Sequence, residues 1–222
     1  MYKTEMHCHS ASVSFGARSS AEEIVGKYLE AGYTTIVSTE HLDRDTFWKV
    51  GLEEADWDRK VDYFLEGQRK LQEAAKGRLH ILLSAEVCLD KLETEFLLYG
   101  LTEDFLRRAG DIRYLSEARQ LSELVRANGM LIFQSHPFRI HMKIIDPALL
   151  DGIEIGNLSP NQSNNDIAQL WAERYNLTGI TSTDYHNPDH TPKGGIITDY
   201  PITDNETLLK TLREKTFTPI WN

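Results

Sequence analysis

The chain has 222 residues, 41% hydrophobic and 26% charged, enough to bury the core of one domain of ordinary to large size. Its formal net charge of −10 argues against a nucleic-acid binder, because phosphate backbones are held mainly by clustered Lys and Arg, but leaves a small anionic ligand open. Two cysteines (Cys8 and Cys88), a start reading MYKTEMHCHS and the lack of any long apolar run give no disulfide framework, signal peptide or membrane span, so a reduced cytoplasm is expected.

Short β-rich runs alternate with helical stretches along the whole chain. Strands are expected at residues 2–7, 34–38, 80–86, 95–99, 130–134, 152–155 and 178–183, and helices at 21–31, 57–75, 116–128, 162–175 and 205–215. Ser20 followed by Glu22 and Glu23 reads as a helix cap with an acidic first turn. Gly32 and the pair Asn128-Gly129 read as helix stops. This alternation predicts an α/β domain over residues 1–222 with a mainly parallel sheet, either a barrel or a doubly wound sheet. In both architectures chemistry gathers at the carboxyl ends of the strands.

The polar residues fall at those ends. His7 and His9 close the first strand, and alternation along an extended chain points both the same way, with Cys8 turned into packing. Glu40 and His41 follow the second strand, and Glu86 ends the third. An unpaired buried carboxylate is costly, so Glu86 needs a cation, a cap or a hydrogen-bond partner. His136, in Ser135-His136-Pro137-Phe138-Arg139, follows the fifth strand; Glu154 lies in the sixth; Asp184 and His186 follow the seventh. Imidazole and carboxylate ligands without thiolate suit Zn, Mn or Fe. Arg139, Arg18 and Lys193 are candidates to offset charge on an anion. His80 reads as structural. His141 and His190 fall in loops, and His190 with Lys193 and Gly194-Gly195 could form a flap. Cys88 has the parity of Glu86 and could line the site. Residues 42–62, with Trp48 and Trp57, and the loop 187–195 are expected to line a pocket.

The ordered set His7-x-His9, Glu40-His41, Glu86, Ser135-His136-Pro137 and Asp184-x-His186 resembles the polymerase and histidinol phosphatase (PHP) family over nearly the whole chain. That resemblance implies a distorted (β/α)7 TIM-like barrel with two or three divalent metal ions at its carboxyl-end face, and hydrolysis of phosphoesters. It implies that His7, His9, Glu86 and Asp184 surround one ion, that Glu86 bridges to a second ion held by His136, and that His41 and His186 serve a third. Where a bound ion is lacking, His41 or His186 becomes a candidate proton donor. Glu95, before the run Phe96-Leu97-Leu98-Tyr99-Gly100, stands where the family commonly has a His ligand of the second ion. Ser12-Val13-Ser14-Phe15-Gly16 lacks the His that many members use for the third, so that site is expected to be weaker. Glu5 stands where the family often has Asp and is expected to orient a ligand histidine. The implied substrate is a small phosphomonoester such as histidinol phosphate. A phosphodiesterase or nuclease, a non-catalytic metal-binding module and an amide or ester hydrolase are the alternatives, and oligomeric state is left open.

Overall fold

The computed structural model describes residues 1–159 and 163–221. The chain begins with strand β1 (Tyr2–Cys8), helix α1 (Ala21–Glu30), strand β2 (Tyr33–Ser38), the short strand β3 (His41–Leu42) and helices α2 (Arg44–Trp48) and α3 (Trp57–Ala75). Next come β4 (His80–Leu83), β5 (Glu86–Cys88), β6 (Glu95–Tyr99), α4 (Glu103–Ala109) and α5 (Ala118–Ala127). The last part holds β7 (Leu131–Gln134), β8 (Gly152–Asn157), α6 (Asn165–Tyr175), β9 (Thr178–Ser182), β10 (Ile196–Thr198), α7 (Asn205–Glu214) and β11 (Thr218–Pro219).

The helix boundaries follow local chemistry. Ser20 caps α1 in a capping box with Glu23. Asp56 caps α3, which ends at Lys76 and Gly77, both left-handed. The helix expected from 162 begins three residues later, at Asn165; Gln162 itself lies outside the described residues.

The strands form two sheets, ordered β11-β10-β1-β2-β4 and β3-β5-β6-β7-β8-β9. The expectation of a mainly parallel sheet needs correction. β1-β2-β4 and β7-β8-β9 are parallel, but β6 runs antiparallel to both β5 and β7. No helix separates β5 from β6, so their connection is a hairpin, which fixes an antiparallel pair. The strand expected at 80–86 is also broken in two, and the chain changes sheets at Ser84-Ala85. The two sheets meet at that break, where Leu98 N donates to Ala85 O at 3.0 Å. They meet again where Cys8 bridges Tyr185 in parallel, with His9 N donating to Tyr185 O at 2.9 Å. Met6, Val37, Leu82, Leu97, Phe133 and Ile180, drawn from strands of both sheets, share one buried cluster between them. No described helix is long and apolar enough to cross a membrane.

The antiparallel β6 has a consequence for the site. Its first residue, Glu95, lies at the edge where the parallel strands end. A residue at the start of this strand therefore reaches the place occupied by residues at the ends of the others.

Candidate metal centre

His7 and His9 come from the end of β1, His41 from β3 and Glu86 from the first position of β5. Glu95 opens β6, His136 follows β7, and Asp184 and His186 follow β9. All eight converge. Three groups, two of them sharing His9, bring His or carboxylate atoms within 4.8 Å of one another: His7, His9 and Asp184; Glu86, Glu95 and His136; and His9, His41 and His186.

The first group is nearly regular. His7 Nε2 is 3.3 Å from Glu86 Oε2 and 3.5 Å from Asp184 Oδ1; His9 Nε2 is 3.4 Å from each of the same two oxygens. Four ligands about 2.1 Å from a tetrahedral ion would lie roughly 3.4 Å apart. Among the described residues, His7 Nε2, His9 Nε2 and Asp184 Oδ1 are buried without a hydrogen-bond partner. Buried polar atoms are seldom left so, and these share one focus, as a cation would require. Glu86 turns its other oxygen to the second group, with Oε1 3.0 Å from His136 Nε2. Glu95 Oε2 stands 3.3 Å from the same nitrogen. These clusters fit divalent metal ions.

The charges support that fit. Burial opposes charge on His7, yet Glu86, Glu154 and Asp184 together hold its imidazole well above the usual pKa. Burial likewise opposes charge on Glu86 and Asp184, but His7 and the imidazoles around each keep both carboxyls well below theirs. His9, buried beside His186 and His41, is pushed well below, toward the neutral ring that a metal needs. Burial and the neighbouring Glu86 raise Glu95. Glu86, Glu95, Glu154 and Asp184 gather around this cluster, a concentration of carboxylates that a dication would neutralise.

Surrounding residues fix the rings. His7 Nδ1 lies 2.8 Å from Glu154 Oε1. His9 Nδ1 lies 3.2 Å from Ser14 Oγ, which donates to Glu40 at 2.6 Å. Glu40 also accepts from Ser10 N and Oγ. Room for Glu40 exists because residue 67 is glycine: a Cβ there would sit 2.5 Å from Glu40 Cγ. His136 and Asp184 both have left-handed backbones, at φ 27° and 50°. Such strain in non-glycine residues persists where surrounding contacts over-determine it.

Several expectations change. Glu5 acts on His7 through the backbone, not the ring: it accepts from the N–H groups of Met6, His7 and Thr183 and from Tyr28 Oη. The histidine-orienting carboxylate is Glu154. A glutamate inside a strand carried no distinguishing signal for that role. Arg139 is not directed at open solvent: its guanidinium donates to Asp184 Oδ2 at 2.6 Å. Arg18 is exposed and lines a cleft of about 530 Å³ with Gly16, Asn187, Pro188 and Asp189. A Cβ on Gly16 would lie 3.6 Å from His186 Cδ2 and 3.9 Å from His41 Cε1, so the cleft adjoins the third group. Phe15 is 63% exposed, with Lys49 Nζ over its ring.

Gly194 and Gly195 do not form a loose flap. Gly194 N donates to Thr183 Oγ1, and a Cβ there would lie 2.0 Å from Ser182 C. Lys193 N is held on the same hydroxyl. Trp57 is packing, against Phe47, while Trp48 is 63% exposed. Cys88 is raised to about 12 by burial and by Glu95, and it belongs to none of the three groups. His80 and His141 are exposed, and His190 Nδ1 accepts from His186 N.

No protein-family model matches the chain, and no curated protein matches it in sequence. Solved structures do share its fold. A two-domain protein from Bacteroides vulgatus ATCC 8482, containing a "predicted PHP-like metal-dependent phosphoesterase", superposes with a TM-score of 0.69 at 15% identity; the match covers 100% of this chain and 65% of that one. PsfC from Pseudomonas syringae PB-5123 gives 0.70 at 13% identity, covering 100% and 91%. An amidohydrolase from Chromobacterium violaceum with bound sulfate gives 0.58 at 14% identity, covering 97% of each chain. The chain shares its mixed α/β fold with these proteins, and its groups of imidazoles and carboxylates fit divalent metal ions.

Proposed function

We propose that the chain is a PHP-family phosphoesterase that hydrolyses a phosphomonoester of a small metabolite. In this reading residues 1–222 are one domain and the two sheets form a single distorted (β/α)7 barrel. Two ions of Zn, Mn or Fe are well supplied, by His7, His9, Glu86 and Asp184 and by Glu86, Glu95 and His136. A third, near His41 and His186, is weaker, because exposed Phe15 stands where the family has a ligand.

The observation that carries the reading is Glu86, whose two oxygens face two different imidazole groups 3.0–3.4 Å away. A shared carboxylate of this kind suits paired ions. Bound there, they would supply Lewis acidity, polarising phosphoryl oxygens and making water nucleophilic at neutral pH. The chain's own groups do the rest. Arg18, on the cleft, binds the anionic group, and Arg139 adds positive charge behind Asp184. His186 and His41 face the cleft through Gly16, and where the third ion is absent either can hold a proton for the leaving alkoxide.

Turnover of p-nitrophenyl phosphate should exceed that of bis-p-nitrophenyl phosphate on protein of measured metal content. The reverse order would favour the phosphodiesterase alternative. Metal binding without turnover of any phosphate ester would favour a regulatory module.

A further inference from the structure

Glu154 is a buried carboxylate that belongs to none of the three groups yet touches a ligand residue of two of them. It is 1% exposed and accepts from four donors. Oε1 lies 2.8 Å from His7 Nδ1 and also accepts from Ser182 Oγ. Oε2 accepts from His136 N at 2.7 Å and from Asn157 Nδ2 at 3.1 Å. Its two oxygens thus serve the two groups separately. One fixes the His7 ring so that Nε2 faces Asp184 and Glu86. The other holds the His136 backbone at φ 27°, from which its ring reaches Glu86 and Glu95.

We propose that Glu154 is a positioning residue that couples the two metal sites, ordering a ligand of each through one carboxylate. The proposal rests on the metal-dependent reading above. Asn157 extends the link: its Nδ2 donates to Glu154 Oε2 and also approaches Asp184 Oδ2 at 3.2 Å. Every partner of the carboxylate is a donor, so only a group with two accepting oxygens satisfies them all. An amide of the same size would set its NH2 against two donors, and the side chain that turns to relieve that clash loses its hold on the other two as well.

The test is titration of metal-free protein with Co²⁺, read by visible absorption and by ions retained per chain. Wild type should bind two tight ions. Glu95→Gln, which alters only the second group, should keep one. Glu154→Gln should weaken both, by about 10- to 100-fold each, the usual cost of losing a group that orients a ligand. Glu154→Asp keeps the charge but is too short to span His7 and His136, and it should show the same paired loss if Glu154→Gln fails to fold. A loss confined to one site, or two unchanged affinities, would overturn the coupling. A wild type that binds no Co²⁺ would instead remove the metal reading, and the coupling with it.

Discussion

Arg139 donates a 2.6 Å hydrogen bond to Oδ2 of Asp184, the carboxylate whose other oxygen faces His7 and His9. A cation on the outer oxygen orients the inner one and limits the negative charge gathered at the site. Arg139→Ala leaves that oxygen only the long contact to Asn157. It should lower metal affinity at the first group about 10- to 100-fold, with a matching fall in kcat/KM. Metal content distinguishes this from a purely substrate-binding arginine, whose loss would raise KM and leave the bound ions unchanged.

Removing metal should destabilise the fold as well as silence it. Glu86, Asp184 and Glu154 are buried together with the half-buried Glu95 beside them, and a dication bound only to the folded state stabilises it by mass action. At a hundredfold excess over Kd the gain is about 2.7 kcal/mol per site, or roughly 5–10 °C in Tm for a chain of this size. Thermal melts with chelator and with Zn²⁺ or Mn²⁺ would measure it. Coincident melts would count against a metal centre.

Two helical glycines should respond in opposite ways to alanine. Nothing lies within 4 Å of a Cβ built on Gly26 in α1, so Gly26→Ala should stabilise by about 0.5–1 kcal/mol. Gly67 in α3 abuts Glu40, so Gly67→Ala should cost about 1–3 kcal/mol despite the better helix former. Because Glu40 holds Ser14 and thereby His9, that variant should also lose activity. Urea titrations beside a phosphatase assay would check both parts.

His186 tests the division of labour within the site. Its Nδ1 is near the Asp184 carbonyl oxygen at 3.0 Å, and its ring adjoins Gly16 at the cleft. His186→Asn should keep two bound ions while kcat falls about 10²- to 10⁴-fold, the range for losing a general acid. The loss should shrink with substrates whose leaving groups need no proton, such as p-nitrophenolate. Loss of an ion along with kcat would place His186 among the ligands instead.

Much of this site could be read in the sequence because its residues obey a local rule. His7, Glu86, His136 and Asp184 each stand at or just past an apolar strand, and a run of that kind fixes both the strand and its end. What could not be read depends on non-local geometry. Glu95 is placed at the second ion by the family resemblance alone; what carries it there is the reversal of β6, which the hairpin after β5 decides. Glu154 looks like any glutamate in a strand until His7, 147 residues earlier in the chain, is laid beside it. The break at Ser84-Ala85 was hidden within one continuous apolar stretch. β10 and β11, of three and two residues, lie at a sheet edge and are too short to leave a period.

The central claim is that this constellation binds ions and uses them on phosphate esters. The most direct measurement is metal content per chain, taken together with phosphomonoesterase rate, for wild type and His7→Ala. The wild type should hold at least two divalent ions and turn over a phosphomonoester. His7→Ala should lose an ion and nearly all of the rate. Full metal content and full activity in His7→Ala would contradict the account.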